Sequence, residues 1–520
     1  MVLEDDNDGE GSAAGQGEQV FLSRDVLMGV PWTVASKLAL TGIFLAVSVL
    51  TVHFLGPREY GVFTLCKTIV ETVILVCGLG LGTALVRFIP ELCFQRNKTG
   101  LIRLLVKSVF LQAAAILVVG CVLFVGRSQL SGWLGIEFDK LLLLTVALSV
   151  ARLLRGFAEA CLTAMYRVRA NSILSVVHGL LYLTLVAVIL ARYATANAAL
   201  LSETIPVFLV GAISIYVLIR SIRSLPCPSP QYGVGKRRVL GMAFASLLNL
   251  FAMLFLRQYS EIFFLSYYFS KEIVGYYSLG CSVPLMLISL VPTAIQTLFT
   301  AGFAEAHSRD PGSLSRIICV FYKAIIIIVV PFSAFGLFFA ARAVTLVYGA
   351  DMAPAGPVTS LFCVIHVMPL ISLPISMAIV AREKVMHVQP LMVLQVVINL
   401  ILDYELIPRY GMYGAVAAVV ITFLGTIPIR LYVVSRFIGG INFPTVFFIK
   451  FLLVGFGLAG LMSPVARYCS IPALALAGLV YTGGYFGAIR IFHLVRPSDF
   501  AELRRAGLPV LTKALNVIGG

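Results

Sequence analysis

The sequence predicts an all-α polytopic membrane protein with about fourteen transmembrane helices: two six-helix lobes and two extra C-terminal helices. Three observations predict it. Long apolar stretches follow one another along nearly the whole chain. Basic residues concentrate in alternate connections. A faint internal repeat runs at a nearly constant offset.

The apolar stretches set the class. Of the 520 residues, 60% are hydrophobic and 12% charged, with a mean hydropathy of +0.99. A soluble domain carries about 25% charged residues, so a water-soluble fold would lack the polar surface to cover itself. Crossing the hydrocarbon core takes roughly 20 apolar residues. Candidate spans lie at about 30–55, 61–89, 104–125, 141–165, 172–190, 194–219, 239–268, 273–301, 317–341, 356–380, 388–407, 411–434, 446–462 and 471–494. The connections between them leave no room for a large soluble domain.

Charge placement supports the count. The net charge is +15, which by itself would suit a nucleic-acid partner. The basic residues instead sit in short loops, and none forms a nucleic-acid module. With the N-terminus in the cytoplasm, the inward connections carry sixteen Lys and Arg and the outward ones eight. That is the bias by which membrane proteins orient. Arg496, Arg504, Arg505 and Lys513 then place the C-terminal tail inside as well. This topology suits a multi-pass protein of a cytoplasmic (inner) membrane.

The repeat gives the architecture. Gly61, Phe63 and Leu65 correspond to Gly275, Tyr277 and Leu279 at an offset of 214, and Glu91 corresponds to Glu305 at the same offset. Arg167 and Arg382 match at 215, and Arg192-Tyr193 and Arg409-Tyr410 at 217. The unit is six spans, an even number, so both copies enter from the same side. Two lobes related by a pseudo-twofold along the membrane normal follow, with a cavity between them.

The expected organisation is a disordered acidic cytoplasmic tail (1–25), an N-lobe (26–222), a Pro-rich cytoplasmic linker (223–238), a C-lobe (239–436), two added helices (437–495) and a cytoplasmic C-terminal tail (496–520). No cleavable signal peptide is visible in the acidic first residues. The ten cysteines are scattered without a Cys-x-x-Cys pair, so packing explains them better than metal or disulfides.

Two blocks carry a resemblance. The first is Leu55-Gly56-Pro57-Arg58-Glu59-Tyr60-Gly61 followed by Gly78-Leu79-Gly80-Leu81-Gly82-Thr83-Ala84-Leu85-Val86-Arg87-Phe88-Ile89-Pro90-Glu91. The second is Ile407-Pro408-Arg409-Tyr410-Gly411 with Gly414-Ala415. Both are similar to polysaccharide-type members of the multidrug/oligosaccharidyl-lipid/polysaccharide (MOP) superfamily. The resemblance implies a Wzx-type flippase that moves polyprenyl-pyrophosphate-linked oligosaccharide from the cytoplasmic to the outer leaflet. Such proteins are held to work by alternating access of two six-helix lobes. It also implies membrane lipids and a polysaccharide polymerase as partners, H+ or Na+ as coupling ion, and a monomer without cofactor. A lipid II flippase and a drug/cation antiporter are the alternatives within the superfamily, and fourteen spans suit the flippase branches. A membrane-embedded glycan polymerase or ligase is the alternative outside it. Such an enzyme needs a large outer loop for its catalytic groups, and the longest outer connections here are short.

Charges inside spans are costly and mark a cavity or a partner. Arg152, Arg155 and Glu159 share one helical face, and their guanidinium forks fit phosphate oxygens; an Arg155–Glu159 pair locking helices together is the structural alternative. Lys67 and Glu71, and Arg257 and Glu261, are i, i+4 pairs, either self-neutralising or functional. In the functional case Lys67 and Arg257 line the substrate cavity, and Glu71, Glu159 and Glu261 are ion-coupling candidates. Lys37 either lines the cavity or snorkels to the inner surface. Pro284, Pro292, Pro369 and Pro374 loosen their helices. Gly78, Gly80 and Gly82 read as close helix packing, and His366 as a packed polar residue. No Walker phosphate loop, His-Glu-x-x-His or Gly-x-Ser-x-Gly motif is present.

Overall fold

The computed structural model describes residues 11–95, 97–224, 236–255, 259–290, 314–375, 389–438, 443–466 and 469–495. For residues 11–35 only the backbone is described. The N-lobe comprises α1 (Gly11–Gly78), α2 (Leu81–Phe94), α3 (Lys98–Val125), the short α4 (Arg127–Leu134), α5 (Phe138–Ala164), α6 (Val168–Leu190) and α7 (Ala196–Arg223). The C-lobe comprises α8 (Lys236–Phe255), α9 (Tyr259–Tyr268), α10 (Lys271–Ile288), α11 (Leu314–Tyr348), α12 (Ala355–Ile365), α13 (Met368–Ile371), α14 (Gln389–Tyr410) and α15 (Met412–Ile438). Then come α16 (Thr445–Ala466) and α17 (Ile471–Ile491).

Eleven helices among the described residues are long and apolar enough to cross a membrane. The first of these, Ser36–Gly78, has 43 residues and at 1.5 Å per residue measures about 64 Å, twice the hydrocarbon core of about 30 Å. It breaks at Gly56, whose φ of 68° and ψ of 177° lie outside the helical region; glycine takes that backbone without a Cβ penalty. Phe44 before the break and Lys67 after it line one cavity, so the helix folds back on itself and supplies two spans. The connection expected between the first two spans is therefore a one-residue break. Residues 11–25, expected as part of a disordered tail, continue this helix backward; no proline interrupts them. The connection after the third span, expected as a loop, contains α4.

Helix starts are fixed by side chains that accept the free N–H groups of a first turn. The Asn97 carboxamide accepts from Gly100 N at 2.7 Å at the start of α3. Thr195 accepts from Ala198 N at 3.3 Å at the start of α7. Glu59, just past the break in α1, accepts from Ala196 N at 2.8 Å. That bond ties α7 to α1 and sets the height of Glu203, two turns further along.

The pseudo-twofold has a physical signature where α1 crosses α10. A Cβ on Gly61 would overlap the Lys271 carbonyl oxygen and sit 3.1 Å from Gly275 N. A Cβ on Gly275 would overlap the Pro57 carbonyl oxygen and sit 3.3 Å from Gly61 N. Pro57 and Lys271 differ by the same 214 residues as Gly61 and Gly275. The contact is thus made once in each direction, with both helices in backbone contact, as only glycine allows.

One buried apolar cluster fills the N-lobe and its junction with the C-lobe, from Val47 and Leu65 through Leu148 and Leu200 to Tyr277 and Val358. A second, from Ile318 through Val330 and Phe451 to Tyr485, joins the C-lobe to α16 and α17. Tyr481 donates to Gly455 O at 3.2 Å and Tyr485 to Ile327 O at 3.3 Å. The first bond ties α17 to α16 and the second pins α17 to α11, outside the repeat.

Candidate functional site

A cavity of about 540 Å³ lies among α1, α5, α6 and α7 and is closed on the far side by Ser282, Val283 and Met286 of α10. The lobes meet there. Its charged lining is Lys67, Arg152, Arg155, Glu159 and Glu203, three cations and two anions.

Arg152 is the hub. Its guanidinium donates through one nitrogen to Glu71 Oε1 and through the other to Glu203 Oε1. Glu203 also pairs with Lys67 at 3.4 Å and accepts from Tyr182 at 3.3 Å. The carboxylate is 3% exposed, and Arg152 is 22% exposed. A lone charge so deeply buried would cost several kcal/mol; sharing one carboxylate between two cations and a phenol offsets that cost. Arg is the residue that can do this, because its planar fork serves two acceptors at once.

Of the residues expected to line the substrate cavity, Arg152, Arg155 and Lys67 do so together, and Glu159, expected as an ion-coupling candidate, lies on the same wall. The structure pairs them differently. Lys67 binds Glu203 and Glu71 binds Arg152, so the i, i+4 pair foreseen within the second span is not formed. The carboxylates and cations of neighbouring helices come closer than those one turn away. Arg155 and Glu159 make no salt bridge among the described residues. Lys37 is exposed and lines none of the three cavities described in this subsection. Arg257 lies outside the described residues.

Two residues of this site were not foreseen. Glu203 sits well inside the sixth span, and the rule that singled out Arg152, that an ionisable residue in a span is costly, applies to it equally. His178 in α6 is 5% exposed, lines the cavity, and neither ring nitrogen has a hydrogen-bond partner among the described residues. Its ring lies 6.2 Å from Phe44 and 6.1 Å from Tyr182.

The C-lobe holds a different cluster. Glu261 on α9 is 1% exposed and Asp403 on α14 is fully buried. Asn399 bridges them, donating to Glu261 Oε1 at 3.3 Å and to Asp403 Oδ2 at 3.0 Å. Ser260 donates to Glu261 Oε2 at 3.2 Å. Asp403 Oδ1 and Tyr277 OH have no hydrogen-bond partner among the described residues. No salt bridge is formed by either carboxylate among the described residues. Glu261 was a sequence candidate; Asp403 and Asn399, one turn apart in the eleventh span, were not. Beside this cluster a cavity of about 220 Å³ is lined by Tyr277, Cys281, His366 and Gln395. His366 Nε2 lies 3.0 Å from Cys281 O and 3.6 Å from its sulfur, in keeping with a packed polar residue.

A third cavity, of about 360 Å³, backs onto the first. Arg152 and Gly156 line both. Phe157 of α5 lines it too, and its other walls come from α1, α2, α3, α8 and α9 and include Glu71, Gly78, Gly80, Gly82, Leu85, Gln112 and Leu250. The close-packing reading of the three glycines holds for Gly80 alone, where a Cβ would overlap Ala243 O and approach Leu247 N to 2.7 Å. At Gly78 and Gly82 a Cβ would meet nothing within 4 Å among the described residues.

Among solved structures, the chain resembles the lipid II flippase MurJ in an inward closed conformation, with a TM-score of 0.69 and 15% identity over 89% of this chain and 99% of that one. It also resembles a multidrug resistance MATE family transporter of the MOP superfamily in two conformations. The inward-facing one gives a TM-score of 0.58 at 15% identity, over 78% of this chain and 98% of that one. The outward-facing one gives 0.57 at 15% identity, over 79% and 95%. At such identities the likeness is one of fold. No curated protein sequence matches the chain. The model of one sequence family, described as polysaccharide biosynthesis protein, matches residues 50–357. With more than half of its length matched, the chain belongs to the polysaccharide biosynthesis protein family.

Proposed function

We propose that the protein flips polyprenyl-pyrophosphate-linked oligosaccharide from the cytoplasmic to the outer leaflet by alternating access of its two lobes, without covalent catalysis. The observation that carries this reading is the cavity between the lobes, with Lys67, Arg152 and Arg155 on its wall. A pyrophosphate brings two phosphate groups into a low-dielectric site, where charge-assisted hydrogen bonds are strongest. Arg155 has no salt bridge among the described residues and takes the first phosphate. Lys67 and Arg152 follow by exchanging carboxylate for phosphate. Freed Glu71 and Glu203 then report the occupied state to α1 and α7. A cationic drug would meet the same three cations, which speaks against the antiporter reading.

Glu261 and Asp403 are the proposed seat of the coupling ion. Two buried carboxylates bridged by an amide, with one unpartnered oxygen, suit a proton or a Na+ ion. The lipid II alternative draws on the likeness to MurJ in fold, and cargo chemistry separates the two readings. The protein sits in the cytoplasmic membrane with both termini inside, acts as a monomer, and hands its cargo to a polymerase.

The test is reconstitution in proteoliposomes with a polyprenyl-pyrophosphate oligosaccharide, followed by the access of an added glycosidase to each leaflet. Ion-dependent movement of the glycan between leaflets, lost in Arg152→Ala, is the expected result. Movement of lipid II alone would select the alternative. Movement of neither substrate under an imposed proton or Na+ gradient would overturn the reading.

A further inference from the structure

Two large cavities standing back to back with shared walls raise the question of what the second is for. The first is lined by charge. The second is lined mainly by glycine and apolar side chains, with Arg152, its partner Glu71 and Gly156 at the junction and Thr83, Gln112 and Tyr259 as its other polar side chains. It lies where α1 and α2 of the N-lobe meet α8 and α9 of the C-lobe. Near it, Val76, Val86, Leu248, Leu250 and Phe251 are 37–48% exposed, so an apolar surface continues from the cavity toward the lipid.

The glycines make this cavity unusual. In membrane helices, glycines ordinarily serve close helix contact, and Gly80 does so. Gly78 and Gly82 flank it at two-residue intervals, and Gly156 faces them across the junction. At none of the three would a Cβ meet another atom within 4 Å among the described residues. Gly156 lies inside α5, where a glycine costs about 1 kcal/mol relative to alanine and no packing gain offsets it; Gly78 ends α1 and Gly82 lies in the first turn of α2. What their bare backbone supplies is room.

We infer that this glycine-walled cavity is a seat for the lipid chain of the cargo. The first isoprene units of a polyprenyl phosphate lie between Gly78, Gly82 and Gly156 while the phosphate sits at Arg152. The inference rests on the lipid-linked reading above and adds where the chain runs. The geometry follows from the junction. A phosphate bound at Arg152 has the charged cavity on one side, which takes the polar head. On the other side is an apolar slot, which takes the chain. A methyl-branched, unsaturated chain needs a broad smooth wall more than it needs specific partners, and glycine backbone with Leu85, Phe157 and Leu250 provides one.

The experiment uses the full chain in lipid nanodiscs and a polyprenyl monophosphate that carries a photoreactive group on its chain and no sugar. Saturable labelling is expected on 74–85, on 153–157, and on Leu250 and Tyr259. Gly78→Leu and Gly82→Leu fill the slot and should cut labelling about tenfold, in the range by which apolar pockets discriminate small changes in volume. Thermal melting should stay unchanged, because the added side chains enter open space. Gly82→Ala should label nearly as well as wild type. Labelling confined to α16 and α17, or undiminished labelling in Leu variants that melt normally, overturns the slot and leaves the lipid-linked reading standing. No saturable labelling anywhere overturns both. Should the Leu variants fail to fold, the wild-type labelling map decides alone.

Discussion

The two lobes share a topology and differ in what they bury. In the N-lobe, Arg152 and Lys67 are held by Glu71 and Glu203, and the cluster is open to a large cavity. In the C-lobe, Glu261 and Asp403 are joined through Asn399, sealed from solvent. Charge in the first is balanced within the protein, so on the proposed reading a ligand enters by exchange. In the second two acidic groups share one amide and leave an oxygen over, so on the same reading a cation enters by addition. Two similar scaffolds thus differ by a handful of side chains.

The sharpest break of that comparison is Arg152→Ala. It removes the hub and strands Glu71 and Glu203, and transport should fall by about a hundredfold or more, equivalent to roughly 3 kcal/mol. Arg152→Lys should not restore it, since an ammonium lacks the fork that serves two acceptors. Equal transport in all three proteins would make Arg152 a bystander.

Next in size is Asp403→Asn. Transport should lose its dependence on an imposed proton or Na+ gradient, while affinity for the polyprenyl cargo, read as saturable binding in nanodiscs, stays within about threefold of wild type, or roughly 0.7 kcal/mol. A cargo-binding defect equal to that of Arg152→Ala would mean that the lobes do not divide the work. Glu203→Gln addresses stability. Removing one partner of a buried pair costs about 3–5 kcal/mol at full burial, less here because Lys67 and Arg152 are partly exposed, so a drop of several degrees in the thermal melt is expected. At the small end, His366→Ala removes one packed hydrogen bond and should cost about 1 kcal/mol with transport intact. Loss of transport without loss of stability would give His366 a place in the ion path.

The fold was legible because membranes constrain sequences heavily. Span positions follow from hydropathy, and the pairing of Gly61 with Gly275 exposed the duplication. The members of the charged wall on α5 were legible too, since Arg152, Arg155 and Glu159 share a face. What the pattern along one helix cannot reveal is which carboxylate on another helix will answer each cation. Lys67 and Glu71 look like a pair on paper and are divided between Glu203 and Arg152 in space. Glu203 and Asp403 were within reach of the same rule about ionisable residues in spans. His178 was not, because one histidine in an apolar run carries no signal until its neighbours are known.

The crossing of α1 and α10 has one more consequence. Gly61 meets the carbonyl of Lys271, and Gly275 meets that of Pro57; each half offers the other the same patch it receives. That is the geometry of an isologous interface in a two-fold homodimer. The six-span unit already has the surface needed to bind a second copy of itself. Fusion of two copies into one chain would have preserved an interface rather than created one. Afterwards each half was free to change its charges without disturbing the contact that holds them together, because that contact is made of backbone.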